Sequence, residues 1–410
     1  MKTRVTVCQM GARMHYAVPR ILHDAGRLEW FFTDLCALEP WAAVLSAIPK
    51  RLRPASLQRL LSRVPDGVPR KRIKMFARFA IEYSRRLASA HAMSEMSATF
   101  LWAGKTFCER VIHAGLVNAH GVYTFNTAGL EVLIHARRRG MKTLVEQTIA
   151  PREFEARLLA RERETHPDWE DGFLDDEHAA ELTAREREEW DNADLILCGS
   201  DFVRNAIAAC NGPAPRCVVV PYGVDSHFKP APRPENNQKP LHVLVAGTVG
   251  LRKGSPYVLA AAQQLGTQAE FRIVGFTGSV LPARLQDLQK HADVRGFVPR
   301  GQISEHYRWA DVLLLPSLCE GSATVTYEAL TAGIPVIATP NAGSCVRDGQ
   351  DGFIVPAADA EAIAERIDML SRNRELLRTL SRRALDRSQD LTIEAYGGRL
   401  LKVVAALLDE

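Results

Sequence analysis

A pair of glutamates, Glu320 and Glu328, lies at a predicted junction between a buried strand and a helix that begins near Thr324. The residues directly after Glu320 are small and would let a ligand approach the backbone; they are Gly321, Ser322 and Ala323. The free N–H groups and the dipole of a helix N-terminus favour a phosphate group. Glu328 falls about one turn into the helix, among apolar residues, where its carboxylate needs donors such as sugar or ribose hydroxyls. On spacing alone, both glutamates could equally do no more than complement the helix dipole.

A second candidate group lies in the glycine-rich turn that runs from Gly247 to Gly254 and carries the adjacent cations Arg252 and Lys253. The turn follows a predicted strand and opens a predicted helix. Fixed cations in such a position can neutralise the charge of a diphosphate leaving group. The turn matches neither the Walker A pattern nor the dinucleotide-binding G-x-G-x-x-G pattern. Taken alone, the two cations are also typical of a solvated helix start.

Alternating strands and helices position these loops in the second half of the chain. The predicted strands are 241–246, 270–274, 293–295, 311–315 and 335–338, and a helix follows each of them. This alternation predicts a parallel sheet covered by helices on both faces. Because such sheets bind ligands at the carboxyl ends of their strands, the loops 247–254, 316–324 and 339–344 should line one cleft.

The length of 410 residues exceeds what one hydrophobic core usually supports, so two α/β domains are expected. We place an N-terminal domain at 1–224, in which 152–190 is dense in Glu and Arg and predicts one or two solvated helices. A stretch rich in Pro and Asn, 225–240, predicts a linker. The second domain then spans 241–388, and 389–410 forms a C-terminal helix.

Composition is that of an ordinary globular protein, with 46% hydrophobic and 24% charged residues. A net charge of +4 gives no reason to expect a nucleic-acid partner. The sequence contains no run of about 20 apolar residues that would predict a membrane-spanning helix. The stretch from Met1 to Cys8 is too polar for a signal-peptide core. Eight cysteines without a C-x-x-C pair predict reduced thiols, and together these features predict a cytoplasmic protein.

A basic block covers residues 50–86. From Arg51 to Arg86 there are 11 Lys or Arg against Asp66 and Glu82, a local net charge of +9. Apolar residues recur beside these cations, namely Leu57, Leu60, Leu61, Val64, Phe76, Phe79 and Ile81. One interpretation is a solvated helical face. The other is an amphipathic surface that faces anionic lipid or a lipid-diphosphate acceptor, which would make the protein peripheral to a membrane.

Taken together, the motifs of the C-terminal half resemble glycosyltransferase family 4, whose members have the GT-B fold. The matching stretches cover nearly all of residues 241–370 in the right order. They are Lys253-Gly254, Ile273 to Gly275, Gly296 to Val298, Ala310 to Ser317, the Glu320/Glu328 pair, Glu328 to Val336, and Asn341 to Phe353. The N-terminal half matches more loosely, through Gly11 and 193–200. The resemblance implies an α/β fold of two Rossmann-like parallel-sheet domains that face an interdomain cleft, with the C-terminal helix packed back on the N-domain.

The resemblance also implies a role for each matching residue. Lys253, with Arg252, would hold the donor diphosphate, and Glu320 would contact the transferred sugar. Glu328 would bind the ribose hydroxyls. The other donor-binding candidates are Gly247 in the turn, the backbone N–H groups of Gly321, Ser322, Ala323 and Thr324, Val298 beside the base, and Gly11 in an N-domain loop near the diphosphate. Members of the family retain the anomeric configuration and need no metal, and no D-x-D motif lies in the expected loops here.

Two positions depart from the family pattern. Many members carry an arginine directly after the glycine of the first C-domain loop, where this chain has Thr248, and Arg252 could replace it. Many also carry a histidine after an N-domain strand, near the reacting sugar, but the comparable stretch here, Leu144 to Thr148, contains none. The candidates for this place in the cleft are Glu146, Gln147, His15 and His120.

We therefore expect a metal-independent glycosyltransferase that moves a sugar, with retention, from a UDP- or GDP-linked donor to a glycan or lipid-linked acceptor. The product would serve cell-surface polysaccharide or glycolipid synthesis, in the cytoplasm or on the inner face of the membrane. No cofactor is expected beside the donor substrate. Two alternatives remain on the same fold: a nucleotide-sugar 2-epimerase, which would need no acceptor, and a non-catalytic subunit that binds nucleotide sugars.

Overall fold

The computed structural model describes residues 3–38, 41–49, 53–170, 176–225, 240–299 and 302–409. Within these residues the chain forms two separate parallel sheets, each packed against helices. The predicted fold class, two Rossmann-like parallel-sheet domains, is confirmed. The predicted linker, 225–240, lies outside the described residues except for its two ends.

The first sheet belongs to the N-terminal half. Its strands in the described part of the chain are β1 (Val5–Gln9), β2 (Leu28–Thr33), β3 (Ile73–Met75), β4 (Gly121–Phe125), β5 (Lys142–Gln147), β6 (Leu195–Cys198) and β7 (Cys217–Val219). They pair in the order β3-β2-β1-β4-β5-β6-β7. The accompanying helices are α1 (Ala17–Asp24), α2 (Trp41–Ser46), α3 (Ala55–Leu61), α4 (Ala77–Ser89), α5 (Met93–Ala114), α6 (Leu130–Arg138), α7 (Arg152–Thr165), α8 (Ala179–Asp191) and α9 (Asp201–Ala209).

The second sheet contains β8 (Leu241–Ala246), β9 (Ala269–Val274), β10 (Ala292–Gly296), β11 (Val312–Leu315), β12 (Val336–Ala338) and β13 (Gly352–Ile354). Its order is β10-β9-β8-β11-β12-β13. The helices that follow are α10 (Ser255–Leu265), α11 (Pro282–His291), α12 (Ile303–Trp309), α13 (Thr324–Thr331), α14 (Ala360–Arg372), α15 (Arg374–Asp386) and α16 (Ile393–Leu408). Strand β11 is buried along its whole length, as expected for a strand with helices on both sides of its sheet.

In each sheet, the strand order changes direction beside the strand that comes first in the chain. In the first sheet the reversal falls between β1 and β4, and in the second it falls between β8 and β11. Ligands of open parallel sheets bind at such switch points, outside the carboxyl ends of the strands. The loops after β1, β8 and β11 are therefore the places where a site is expected.

The end of the N-terminal half at Val224 runs beside the residues that lead into helix α16. The amide of Val224 donates to the carbonyl of Leu391 at 2.8 Å, and the amide of Ile393 donates to Val224 at 2.9 Å. Helix α16 then lies against the N-terminal half. Tyr396 makes an edge-on ring contact with Tyr222 at a centroid distance of 5.8 Å.

Helix α7 and the segment after it reach from the N-terminal half onto the second domain. Trp169 is 3% exposed and packs in the core on one face of the second sheet. Glu170 Oε1 accepts a hydrogen bond of 2.7 Å from the amide of Leu251, in the turn after β8. Glu162 accepts one of 2.7 Å from the hydroxyl of Tyr257. We call residues 152–170 the arm, since they fix the turn after β8 relative to the N-terminal half.

Candidate active site

Two loops of the second domain meet at the carboxyl edge of its sheet, one after β8 and one after β11. Gly254, in the first loop, has a φ of +70°, and a Cβ there would come within 2.1 Å of the Pro316 carbonyl oxygen. Only glycine permits this approach without strain. The close contact brings Lys253 against the loop that carries Glu320.

The two predicted cations and the first glutamate form one cluster. Lys253 Nζ makes an ion pair with Glu320 Oε1, and Arg252 Nη1 lies 3.1 Å from the same oxygen. Arg252 Nη1 also donates to the carbonyl of Cys319 at 2.9 Å. Its Nε lies 3.8 Å from Glu155 Oε1, a carboxylate that the arm supplies. The two cations thus face two carboxylates, one from each domain.

Burial governs the ionisation of this cluster. Burial is the largest effect on Lys253 and lowers its pKa, while the carboxylate of Glu320 opposes the shift and Arg252 adds to it. Burial also raises the pKa of Glu155, and Arg252 opposes that shift. Charges interact more strongly at such a site than in bulk water. A ligand that carries several negative charges could therefore compete with the carboxylates for Lys253 and Arg252.

Gly321 lies where the two domains touch. A Cβ on this residue would come within 1.8 Å of the Thr148 carbonyl oxygen, so glycine is required by the contact between domains. Ser200 Oγ donates to the Gly321 carbonyl, and the amide of Ala150 donates to the backbone carbonyl of Glu320 at 3.3 Å. These contacts hold the Glu320 loop against the carboxyl edge of the first sheet.

The next residues of the loop also have partners within the protein. Ser322 Oγ lies 2.8 Å from the hydroxyl of Tyr327, and the amide of Ala323 donates to the carbonyl of Ala342 at 3.3 Å. The predicted phosphate-binding N–H group of Ala323 is therefore already engaged. Thr324, the first residue of α13, is exposed.

Glu328 lies one turn into α13 and is half-buried. Its Oε2 accepts a hydrogen bond of 2.8 Å from the hydroxyl of Tyr307, a fully buried residue of α12. This hydroxyl supplies a partner for a carboxylate in an apolar segment and fixes its orientation. Val298, predicted to border the base, is half-buried and packs against the same core as Tyr307.

On the N-domain side, the loop after β1 approaches the same region. The amide of Gly11 donates to Asp34 Oδ1 at 2.9 Å, which fixes the start of the loop. Arg13 Nη1 donates to Thr148 Oγ1 at 2.8 Å, and Thr148 Oγ1 donates to Asn126 Oδ1 at 2.8 Å. Arg13, Asn126 and Thr148 were not predicted as site residues. Asn126 directly follows β4 and Thr148 directly follows β5, so their position after strands was a usable signal.

His15 is exposed on this loop, in a turn of left-handed backbone. Met14, His15 and Tyr16 have φ values of +45°, +51° and +62°. Residues other than glycine adopt this region at a cost of about 1–3 kcal/mol each, which surrounding contacts must offset. Of the histidines considered for the cleft, His15 lies at the carboxyl edge of the sheet. His120 lies at the opposite, amino end of β4, where its Nδ1 accepts the amide of Arg4.

The expectation that Glu146 or Gln147 points into the cleft does not match the structure. Glu146 is 3% exposed, and its two oxygens accept the hydroxyls of Tyr123 and Tyr222. Gln147 is fully buried and bonds to Trp190 and Glu186. Strand β5 is buried on both faces, so even its last two residues turn to internal partners. Burial raises the pKa of Glu146, and the two tyrosine hydroxyls oppose that shift.

The basic block is largely engaged in internal contacts where it is described. Arg63 pairs with Asp34 at 3.0 Å and Arg72 with Glu29 at 3.3 Å, while Lys74 lies 4.2 Å from the centre of the Trp30 ring. Phe79, expected on a membrane-facing surface, is instead fully buried among aromatic rings. The expectation is wrong for Phe79 because α4 packs its aromatic face on α5. Val64 and Ile81 are exposed, as are Lys71, Arg78 and Arg85.

Two further observations concern the described residues alone. No helix among them is long and apolar enough to cross a membrane. No group of three His, Cys, Asp or Glu side chains among them is arranged to hold a metal ion.

Two Rossmann-like parallel-sheet domains of this kind make up the GT-B class of folds. Solved structures of this class have a similar fold at low sequence identity. Sucrose-phosphate synthase from Thermosynechococcus elongatus matches over 100% of both chains with a TM-score of 0.64 at 17% identity. The Anabaena protein HepE, solved in complex with UDP-glucose, matches over 99% of this chain and 100% of its own with a TM-score of 0.63 at 13% identity.

The model of the family described as glycosyl transferases group 1 matches residues 229–387 of this chain. Among curated relatives, the D-inositol 3-phosphate glycosyltransferase of Geodermatophilus obscurus is 29% identical over 242 residues, which are 52% of this chain and 54% of the relative. The putative colanic acid biosynthesis glycosyltransferase WcaL of Salmonella typhimurium is 27% identical over 52% of this chain and 57% of its own length. The chain spans about half the length of the curated relatives it matches.

Proposed function

We propose that the protein is a retaining glycosyltransferase that transfers a sugar from a nucleoside-diphosphate donor. The observation that carries this proposal is the convergence of Lys253 and Arg252 on Glu320, at the contact between the two domains. In the free protein Glu320 balances these cations. A donor diphosphate would take over the cations, which leaves the Glu320 carboxylate to accept hydroxyls of the sugar.

In this arrangement the departure of the nucleoside diphosphate is stabilised by charges that are in place before the reaction. Lys253 and Arg252 need little reorganisation to receive the charge that develops on the leaving phosphate, because protein contacts already hold both side chains. Glu328, oriented by Tyr307, would bind the ribose hydroxyls. The acceptor would approach from the N-domain loops that carry Arg13 and Thr148. Retention would follow from attack on the face that the phosphate leaves, with that phosphate receiving the acceptor proton.

The names of the similar proteins support the classes of donor and acceptor. HepE was solved with UDP-glucose, and one relative is a GDP-mannose-dependent mannosyltransferase acting on a phosphatidylinositol monomannoside. Others are named for D-inositol 3-phosphate and for colanic acid synthesis. We propose a UDP- or GDP-linked donor and a glycan or lipid-linked acceptor, in cell-surface polysaccharide or glycolipid synthesis. We expect such an enzyme to act in the cytoplasm or on the inner membrane face.

Turnover of the donor should persist in excess EDTA. Lys253 and Arg252 already supply two positive charges for the diphosphate, so a divalent cation has no necessary role there. The measurement is release of nucleoside diphosphate from UDP- and GDP-sugars, with and without a glycan acceptor and with and without EDTA. A chelator that abolishes release, with recovery on adding Mg²⁺ or Mn²⁺, would refute metal independence. Interconversion of the donor without any acceptor would instead identify an epimerase, and binding without either reaction would identify a non-catalytic subunit.

We propose that the exposed part of the basic block contacts anionic lipid, with Arg78 and Arg85 on α4 beside the exposed Ile81. A basic residue close to an anionic surface contributes up to about 1 kcal/mol at moderate salt. The double change Arg78→Gln, Arg85→Gln should weaken binding to phosphatidylserine vesicles by up to about thirtyfold. Lys290→Gln with Arg382→Gln, an equal charge change on the second domain, is the control. Equal binding to neutral and anionic vesicles in co-sedimentation would support the solvated-face interpretation.

A further inference from the structure

Two aromatic side chains are unusually exposed at the carboxyl edge of the second sheet. Phe276 is 60% exposed and Phe297 is 72% exposed, while the other described phenylalanines are buried or half-buried. Phe276 lies two residues after the end of β9, and Phe297 directly follows β10. A ligand that covered such a ring would gain affinity from the apolar surface removed from water.

The last two residues of β9 pack on opposite faces of the sheet. Val274 packs in the core beneath α12 and α13, whereas Ile273 packs in the core on the other face. The sheet pairing continues past Val274, because the Gly275 amide donates to Gly296 at 2.9 Å and the Val249 amide donates to Phe276 at 2.8 Å. Since side chains alternate along paired extended backbone, Phe276 lies on the face of Val274.

Val298 shares that face with Phe276. The pairing of β10 with β9 ends at Gly296 and Val274, and Val298 follows that pair by two residues. Val298 packs against the same core as Val274, which agrees with this placement. Phe297 directly precedes Val298 and lies outside the strand.

The same face carries the Glu328 carboxylate. Glu328 is held by Tyr307 of α12, and both helices α12 and α13 cover this side of the sheet. The backbone bond from Val249 ties Phe276 to the turn that ends in Lys253. Strands β9 and β11 are separated only by β8, so their ends are about 10 Å apart. Phe276, Glu328 and Lys253 thus all lie in segments that follow neighbouring strands of this sheet.

We propose that Phe276 is the surface on which the nucleobase of the donor stacks, with Val298 beside it. This inference rests on the proposed function, because it takes the ligand to be a nucleoside diphosphate. The ring lies over Gly278, where a Cβ would come within 2.4 Å of Phe276 Cζ. The loop that follows β9 therefore backs the ring on one side and leaves it open to a base. Stacking on an aromatic ring is tolerant of base identity, so Phe276 provides affinity for the nucleoside rather than the choice between bases.

The test is calorimetric binding of UDP, GDP and ADP to the wild-type protein, followed by the tightest of them with Phe276→Ala. Loss of one stacking contact should weaken that nucleotide about five- to a hundredfold. Phe276→Tyr, which keeps the ring, should bind within about threefold of wild type. Phe297→Ala removes a second exposed ring, which follows the neighbouring strand β10, and should bind like wild type. Inorganic pyrophosphate, which has no base, should bind Phe276→Ala and wild type equally.

Unchanged nucleotide affinity in Phe276→Ala would overturn the proposal, as would an equal loss in Phe297→Ala. We call the proposed stacking surface on Phe276 the platform. The Lys253→Ala variant distinguishes a failure of the platform from a failure of the proposed function. If this variant loses nucleotide affinity while Phe276→Ala does not, the diphosphate site stands and the platform is wrong. If none of the three nucleotides binds the wild-type protein, the proposed function and the platform both fail.

Discussion

Lys253→Ala should lower donor turnover about a hundredfold or more while the protein stays folded. The ammonium is the most buried cation of the candidate cluster and is held by Glu320 in the free protein. Removing one preorganised charge contact to a leaving group costs about 3 kcal/mol in the transition state. The residue lies in a loop between β8 and α10, and its side chain supports no apolar core.

The measurement is kcat for nucleoside diphosphate release, with thermal unfolding as the check on folding. Lys290→Ala, which removes an exposed lysine from α11, is the control and should retain wild-type rates. Turnover of Lys253→Ala within about twofold of wild type would rule out a role of Lys253 in binding the diphosphate.

The Arg252→Ala variant separately tests whether Arg252 replaces the arginine that many members of the family carry at the position of Thr248. An unchanged rate in that variant would leave Arg252 with a structural role between Cys319 and Glu155.

The second sheet follows closely from the sequence because its strands are short apolar runs between helices of regular spacing. Strands β8, β9 and β11 begin and end within about a residue of their predicted bounds. Strand β13 was not predicted, since Gly352–Ile354 contributes only three residues and lies at the sheet edge. In the first sheet, β3 lies inside the basic block, where cations obscure the apolar pattern. The ammonium of Lys74 in this strand packs over the Trp30 ring, and this contact accommodates a cation within the strand.

Charged residues were the least predictable part of the fold. The density of Glu and Arg in 152–190 predicts solvated helices, yet Glu186 and Glu189 of α8 are buried. Glu189 accepts the backbone amides of Thr127 and Gly129, at the turn before α6. Burial raises the pKa of Glu189 to about 7, while Arg185 and these amides oppose the shift. Nothing local in the sequence distinguishes such a carboxylate from a surface one, because its partners are more than fifty positions away.

The candidate site was likewise predictable from the sequence only in part. The convergence of Lys253, Arg252 and Glu320 follows from their places after neighbouring strands of one sheet. The contribution of the arm could not be foreseen, since Glu155 reaches Arg252 only because α7 leaves the N-terminal half. The sequence also does not reveal why a glycine is needed at position 321. It is small because the Thr148 carbonyl lies against it, so the residue shapes the contact between domains as well as the loop.

Changing each of the two glutamates of the site to glutamine should have different effects on ligand binding. Glu328→Gln keeps the size and the contact with Tyr307 but removes the charge that would hold ribose hydroxyls. Hydrogen bonds to a charged partner contribute about 1.5–3 kcal/mol. Intact donor and free nucleoside diphosphate should therefore both bind Glu328→Gln about ten- to a hundredfold more weakly.

Glu320→Gln should instead bind the free nucleoside diphosphate at least as well as wild type. Its carboxylate pairs with Lys253 and Arg252 in the free protein, so neutralising it removes a competitor of the diphosphate for those cations. The intact donor should lose affinity and turnover, because its sugar loses the charged partner. Calorimetry of both ligands on both variants makes the comparison, with Glu305→Gln on α12 as a control at a glutamate outside the cluster. Equal losses of nucleotide affinity in both variants, or no loss in either, would contradict this division of labour. The Glu320/Glu328 spacing would then mean no more than two glutamates that complement the dipole at the start of α13.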